Sequence, residues 1–136
     1  MGRRSWTVPM GIGVFVVLLL LFFAGGVDSL HGQQEAKTVW VRITPGATPQ
    51  DPPSVDVSER HVSKKNSEQV CWKLTEGTHF QVNFKGATPF HGKHIFTDQD
   101  TCSGLPDVPG DGTTTYKYSV SVNGGKALDP TVIVDP

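Results

Sequence analysis

Gln69-Val70-Cys71-Trp72-Lys73-Leu74 and, after a short polar interval, His79-Phe80-Gln81-Val82-Asn83-Phe84 decide how this protein folds. In the first stretch Val70, Trp72 and Leu74 alternate with Gln69, Cys71 and Lys73. In the second, Phe80, Val82 and Phe84 alternate with His79, Gln81 and Asn83. Successive side chains of a strand leave opposite faces, so a period of two marks a strand with one buried and one solvated side.

The same period extends outward in both directions. Val39, Val41 and Ile43 alternate with Trp40, Arg42 and Thr44, and Val55 with Val57 forms a short second strand. Tyr116, Tyr118, Val120 and Val122 alternate with Lys117, Ser119 and Ser121, and Thr131–Val134 forms the last strand. Asn123-Gly124-Gly125 supplies turn residues that tolerate positive φ. No stretch of helical period occurs after residue 27. One apolar face per strand predicts antiparallel or mixed sheets packed on one side only. The expected fold is all-β, a single β-sandwich of about seven strands. Pro45, Pro49, Pro52 and Pro53 keep their stretch out of any central strand. Lys85–Thr114 lacks a strand of regular length, with His94-Ile95-Phe96 the candidate for a short one. Loops of that length are usually functional or stapled.

Ahead of the sandwich, Arg3 and Arg4 precede the apolar run Met10–Gly26, which includes Leu18 and Phe23 and spans 17 residues. Positive charge before an apolar stretch leaves the N-terminus in the cytoplasm and exports the segment beyond the stretch. The run stands at the lower bound of about 17–25 residues for a membrane span. Ala24 and Gly26 also present small residues in the pattern of a signal-peptidase site. Residues 1–27 are thus read as a membrane anchor, with a cleaved signal peptide as the alternative. Residues 28–37 are a tether and 38–136 the β domain. The expected location is the cell membrane, single-pass, with the domain on the periplasmic or extracellular side; cleavage would release it to the periplasm.

Beyond Arg3 and Arg4 the sequence carries 10 basic and 13 acidic residues, which leaves no electrostatic footprint for nucleic acid. Arg60, His61, Lys64 and Lys65 form a short basic cluster that reads as a solvated turn.

The order of strands resembles the cupredoxin-like family, the fold of small blue-copper proteins. Val55-Asp56-Val57-Ser58, Val62-Ser63-Lys64-Lys65 and Gln69-Val70-Cys71-Trp72-Lys73 look like its early strands. Thr78–Phe84 resembles the next strand, where a histidine near the start is a copper ligand, and Thr115–Val120 with Val132-Ile133-Val134 resembles the last two. The ending Leu128–Val134 is similar to that of small exported bacterial proteins with such a domain. A blue-copper site takes two histidines, a cysteine thiolate and a weak axial methionine. His79 matches the first histidine position. The cysteine position falls near Ser119-Val120, where there is no cysteine, and neither histidine nor methionine occurs after Cys102. Met1 and Met10 lie in the membrane segment. The resemblance therefore implies a cupredoxin-like domain whose copper ligands are not retained.

Cys71 and Cys102 both lie in the exported part, where the default is a disulfide. In the chain-entropy model, closing a loop of about 30 residues stabilises by roughly 3–4 kcal/mol. Cys71 lies opposite Val70 and Trp72, so the staple crosses the outside of a sheet or a sandwich end. The alternative is a zinc or copper site built on His91 and His94 with His79, or with Asp98, Asp100 and Cys102. No serine-hydrolase elbow, zinc-protease helix or phosphate loop is present, and nothing pairs a nucleophile with a base. Trp72 reads as core, and Trp40, on the opposite side of its strand, as a partner or membrane contact.

These readings converge on a membrane-anchored, exported, non-enzymatic module with a structural or protein-interaction role, possible protein partners in a membrane complex, and no cofactor or small-molecule substrate. The alternative is a metal-binding or electron-transfer periplasmic protein.

Overall fold

Strand-forming alternation recurs through the computed structural model, which describes residues 35–136. The apolar segment Met10–Gly26 lies outside the described residues. Nine strands occur in sequence order: β1 Lys37–Thr44, β2 Ser54–Val55, β3 Glu59–Ser63, β4 Glu68–Leu74, β5 Phe80–Asn83, β6 Ile95–Thr97, β7 Thr114–Lys117, β8 Ser119–Val122 and β9 Thr131–Asp135. Among the described residues there is no helix. The strands form three sheets, ordered β2-β1-β4, β3-β9-β7 and β6-β5-β8, in a β-sandwich-like arrangement around one core.

The sheets are mixed. β1 runs parallel to β4 in the register Val39↔Val70, Val41↔Trp72 and Ile43↔Leu74, and β3 runs parallel to β9. The remaining strand pairs are antiparallel. Alternation reports which face is buried but not which way a neighbour runs. Direction is set by the connection: a parallel pair needs a crossover of a dozen or more residues, and here the segment between β1 and β4 supplies it.

Two further features depart from the sequence reading. Tyr116–Val122, expected as one strand, breaks at Tyr118. β7 pairs with β9 while β8 pairs with β5, so one run serves two sheets, the device by which sandwiches turn corners. At the break, the backbone N–H of Tyr118 donates to Pro130 O at 3.1 Å. Arg60 and His61, expected in a solvated turn, stand on β3. The turn itself begins at Lys64, whose ammonium donates to Val108 O at 3.3 Å and to Gly110 O and so ties down the long loop.

Within Lys85–Thr114 the candidate strand at His94–Phe96 is observed as β6, one residue later. Thr97 and Asp100 then exchange backbone hydrogen bonds of 3.2 and 3.0 Å across Asp98-Gln99, a two-residue turn. The returning segment lies along the free edge of β4. Trp72 N donates to Thr101 O at 2.9 Å and Ser103 N to Val70 O at 2.8 Å. β4 thus has a partner on both sides.

The core gathers the inward residues of every sheet: Val41 and Ile43, Val62, Val70 and Trp72, Val82, Phe96, Val120, Val132 and Val134, all fully buried. Its centre is aromatic. Trp72 lies 4.8 Å from Phe96 and 5.8 Å from Tyr118, ring centre to ring centre, and Phe84 and Phe90 meet it edge-on at 6.3 and 6.5 Å. Edge-to-face pairs at such distances add about 0.5–1.5 kcal/mol each beyond the area they bury. The Asn123-Gly124 turn forms as its residues predict, with φ of 48° and 72° and Gly125 N donating to Val122 O at 2.9 Å. Gly125 must be glycine, because a Cβ there would sit 2.8 Å from Pro49 O.

Candidate functional site

The register that buries Val41 against Trp72 pairs Trp40 with Cys71 on the opposite face. Outward side chains of β1 and β4 are Thr38, Trp40 and Arg42 beside Gln69, Cys71 and Lys73. Cys71 and Cys102 form a disulfide there, on the outer side of the sheet as their sequence positions indicate. The pair is a non-hydrogen-bonded cross-strand position, since the flanking bonds run from Trp72 to Thr101 and from Ser103 to Val70. Such positions bring Cα atoms closest, and here they are 4.1 Å apart. Although it faces outward, Cys71 is buried. Trp40, its neighbour on β1, is 46% exposed, an unusual state for the largest side chain on a sheet face.

Beside Trp40 lies an open trough of about 400 Å³. Trp40 and Lys73 line it from the sheet, Gly77 and Thr78 from the segment after β4, and Asp98 and Thr101 from the turn after β6. The wall after β6 is held in three ways: by the disulfide at Cys102, by the backbone bond to Thr101, and by the two bonds across Asp98-Gln99. Lys93 also supports that turn, with its ammonium on the Asp100 carboxylate and 4.5 Å from the centre of the Phe96 ring. The amide of Gln99, at 3.0 Å, and then His79 hold the Asp98 carboxyl below the usual range, with burial opposing them. Asp98 is therefore a carboxylate throughout the neutral range.

The histidines singled out in the sequence meet separate partners. His79 Nδ1 lies 3.2 Å from Asp98 Oδ2, and its backbone N–H donates to Asn123 Oδ1 at 3.2 Å. His91 Nδ1 is 3.2 Å from Asp107 Oδ2. His94 Nδ1 is 2.9 Å from Phe84 O. The fourth described histidine, His61, lies 2.7 Å from Asp135 Oδ2. Among the described residues no group of three or more His, Cys, Asp or Glu side chains is placed to hold a metal ion. Both cysteine sulfurs are committed to each other, which removes the thiolate a blue-copper or zinc–thiolate centre would use.

A second hollow, of about 190 Å³, lies under the proline-rich loop between Pro45 and Pro53. Its carboxylate, Asp51, is already occupied by the backbone N–H and hydroxyl of Thr48 at 3.1 and 2.9 Å. Asn123 and Lys126 also line it. A third hollow, of about 300 Å³, is bordered by Lys85, Lys117, Tyr118, Ser119 and Asp129. Trp72 Nε1, Tyr118 Oη and Arg60 Nε are buried and have no hydrogen-bond partner among the described residues. Burial pushes the Tyr118 hydroxyl up to about 12.

The trough is only half visible in the sequence. Trp40 stands out because its alternation points it outward, whereas Asp98, Thr101, Thr78 and Lys73 belong to separate segments and carry no motif. Among the described residues no helix is long and apolar enough to cross a membrane. No protein-family model and no curated protein matches the sequence.

Proposed function

We propose that this protein is a membrane-anchored, non-enzymatic module that works on the outer side of the cytoplasmic membrane, in a structural or protein-interaction role such as an accessory subunit of a membrane complex. The observation that carries the reading is the Cys71–Cys102 disulfide. Disulfides persist in oxidising compartments and are rare in the cytosol. It agrees with Arg3 and Arg4 ahead of the apolar run Met10–Gly26, the pattern that exports the residues beyond the run. A cupredoxin-like domain is our reading of the fold family, supported by mixed sheets in which the first and last strands each have a parallel partner.

The test is to isolate the untagged protein from membranes and measure its intact mass, thiol content and co-purifying proteins. The expected result is a full-length mass, no free thiol and retention in the membrane through alkaline carbonate washing. A mass beginning at Val27 with the protein released to the periplasm would keep export and remove the anchor. Recovery from the cytosol with two free thiols would overturn the reading altogether.

A further inference from the structure

The trough beside Trp40 combines features that one class of small ligand uses together. Its lining includes an exposed indole and an ionised carboxylate, and Lys73, Thr78 and Thr101 surround them with donors and hydroxyls. A volume of about 400 Å³ falls at the lower end of small-molecule sites. We infer that this trough binds a pyranose ring of a glycan, stacked on Trp40 and hydrogen-bonded through its rim to Asp98 and Lys73.

The chemistry rests on the ligand's shape. A pyranose has a face of C–H groups and a rim of hydroxyls. The C–H face meets an indole without desolvating any polar group, and the ring quadrupole of tryptophan favours the positively polarised hydrogens. The rim hydroxyls are donors to the lone pairs of Asp98 that His79 and Gln99 leave free, and acceptors for an ammonium. Phosphate-bearing ligands fit less well, because Asp98 repels them and the exported part has more acidic than basic residues. An extended peptide would need a long groove or an open sheet edge, and the edge of β4 here is already covered by the segment around Cys102.

The wall is also pre-organised. The disulfide, the two-residue turn and the Trp72–Thr101 bond hold Asp98 and Thr101 in place before any ligand arrives, which lowers the ordering cost of binding. This inference goes beyond the reading of the protein as an exported module and does not depend on it, since binding can be measured wherever the protein resides.

The experiment uses the full-length protein in detergent, titrated with cellotetraose, chitotetraose and trigalacturonate. Tryptophan fluorescence and calorimetry are followed together. Saturable binding of at least one oligosaccharide is expected, with the neutral cellotetraose or chitotetraose favoured over trigalacturonate, whose carboxylates Asp98 repels. Trp40→Ala and Asp98→Asn should each weaken that binding at least about tenfold, while Trp40→Ala still unfolds in one cooperative thermal transition. Because Asp98 also belongs to the turn, Trp40→Phe serves as a companion that keeps an aromatic face and should retain most of the affinity. Two results would overturn the inference: no saturable signal with any of the three sugars up to about 10 mM, or binding that Trp40→Ala leaves unchanged.

Discussion

The two faces of β4 differ more than its length would suggest. On the inner face Val70 and Trp72 are fully buried and Trp72 is the hub of an aromatic cluster. On the outer face, one residue away, Cys71 is crosslinked to Cys102 beside the exposed Trp40. Both faces immobilise the strand, but by different physics. The inner face does so by removing apolar area from water and by close packing. The outer face does so by a covalent tie that restricts the unfolded polypeptide. One side therefore sets the fold, while the other holds the wall of the trough without depending on how deep the core is.

Four substitutions or conditions separate these contributions. Trp72→Ala should have the largest effect, a loss of about 3–5 kcal/mol in urea unfolding, because it leaves a large cavity among Phe84, Phe90, Phe96 and Tyr118. A loss below about 1 kcal/mol would show that the cluster is not what holds the sheets together. Replacing Cys71 and Cys102 together by Ala should cost about 3–4 kcal/mol. It should also speed amide exchange at Trp72 and Ser103, whose N–H groups lie in the pairing around the staple, ahead of exchange at Val41 and Val82. Uniform acceleration across the core would mean that the staple and the inner face act as one unit.

The alkaline limb of stability isolates one buried hydroxyl. Tyr118 titrates at about 12 in the folded protein against an ordinary value of 10.0, chiefly because burial disfavours the phenolate. A raised pKa makes this contribution fully present below pH 10 and progressively lost as pH rises from about 10 to 12, roughly 2–3 kcal/mol in all. Tyr118→Phe should abolish that dependence. At neutral pH it should change stability by no more than about 1 kcal/mol, because the oxygen it removes has no partner among the described residues. An undiminished alkaline slope in the variant would assign the effect to another group. The smallest effect should come from Trp40→Ala, about 1 kcal/mol, because the indole is half exposed and its loss opens no cavity in the core. A loss as large as that of Trp72→Ala would mean that the outer indole is structural, and the contrast between the two faces would fail.

Different parts of this molecule are legible in the sequence to different degrees. The inward sets Val39/Val41/Ile43, Val70/Trp72/Leu74 and Phe80/Val82/Phe84 are all readable, because alternation is a local pattern imposed by one buried face. The disulfide is readable because only two cysteines are present. Alternation does not show β3, since Glu59–Ser63 has only Val62 as a fully buried apolar residue and one residue makes no period; only the family resemblance marks Val62 and Ser63 as strand. The break at Tyr118 is hidden because alternation continues through it unchanged while the pairing partner switches. At the trough, Trp40 and Cys71 are marked by their own strands, but Asp98 and Thr101 come to them only through the return of the backbone along β4.

By itself, then, the sequence determined which of the longer segments are strands, which side of each is buried, where the crosslink lies and that an apolar segment precedes the domain. Tertiary structure alone decided that β1 and β4 run parallel, that β7 and β8 belong to different sheets, and that Asp98 and Trp40 line one trough. The division has one physical cause. Side-chain alternation and turn chemistry act between residues a few positions apart, whereas strand direction, sheet membership and the assembly of a site depend on contacts between segments that meet only when the whole core closes.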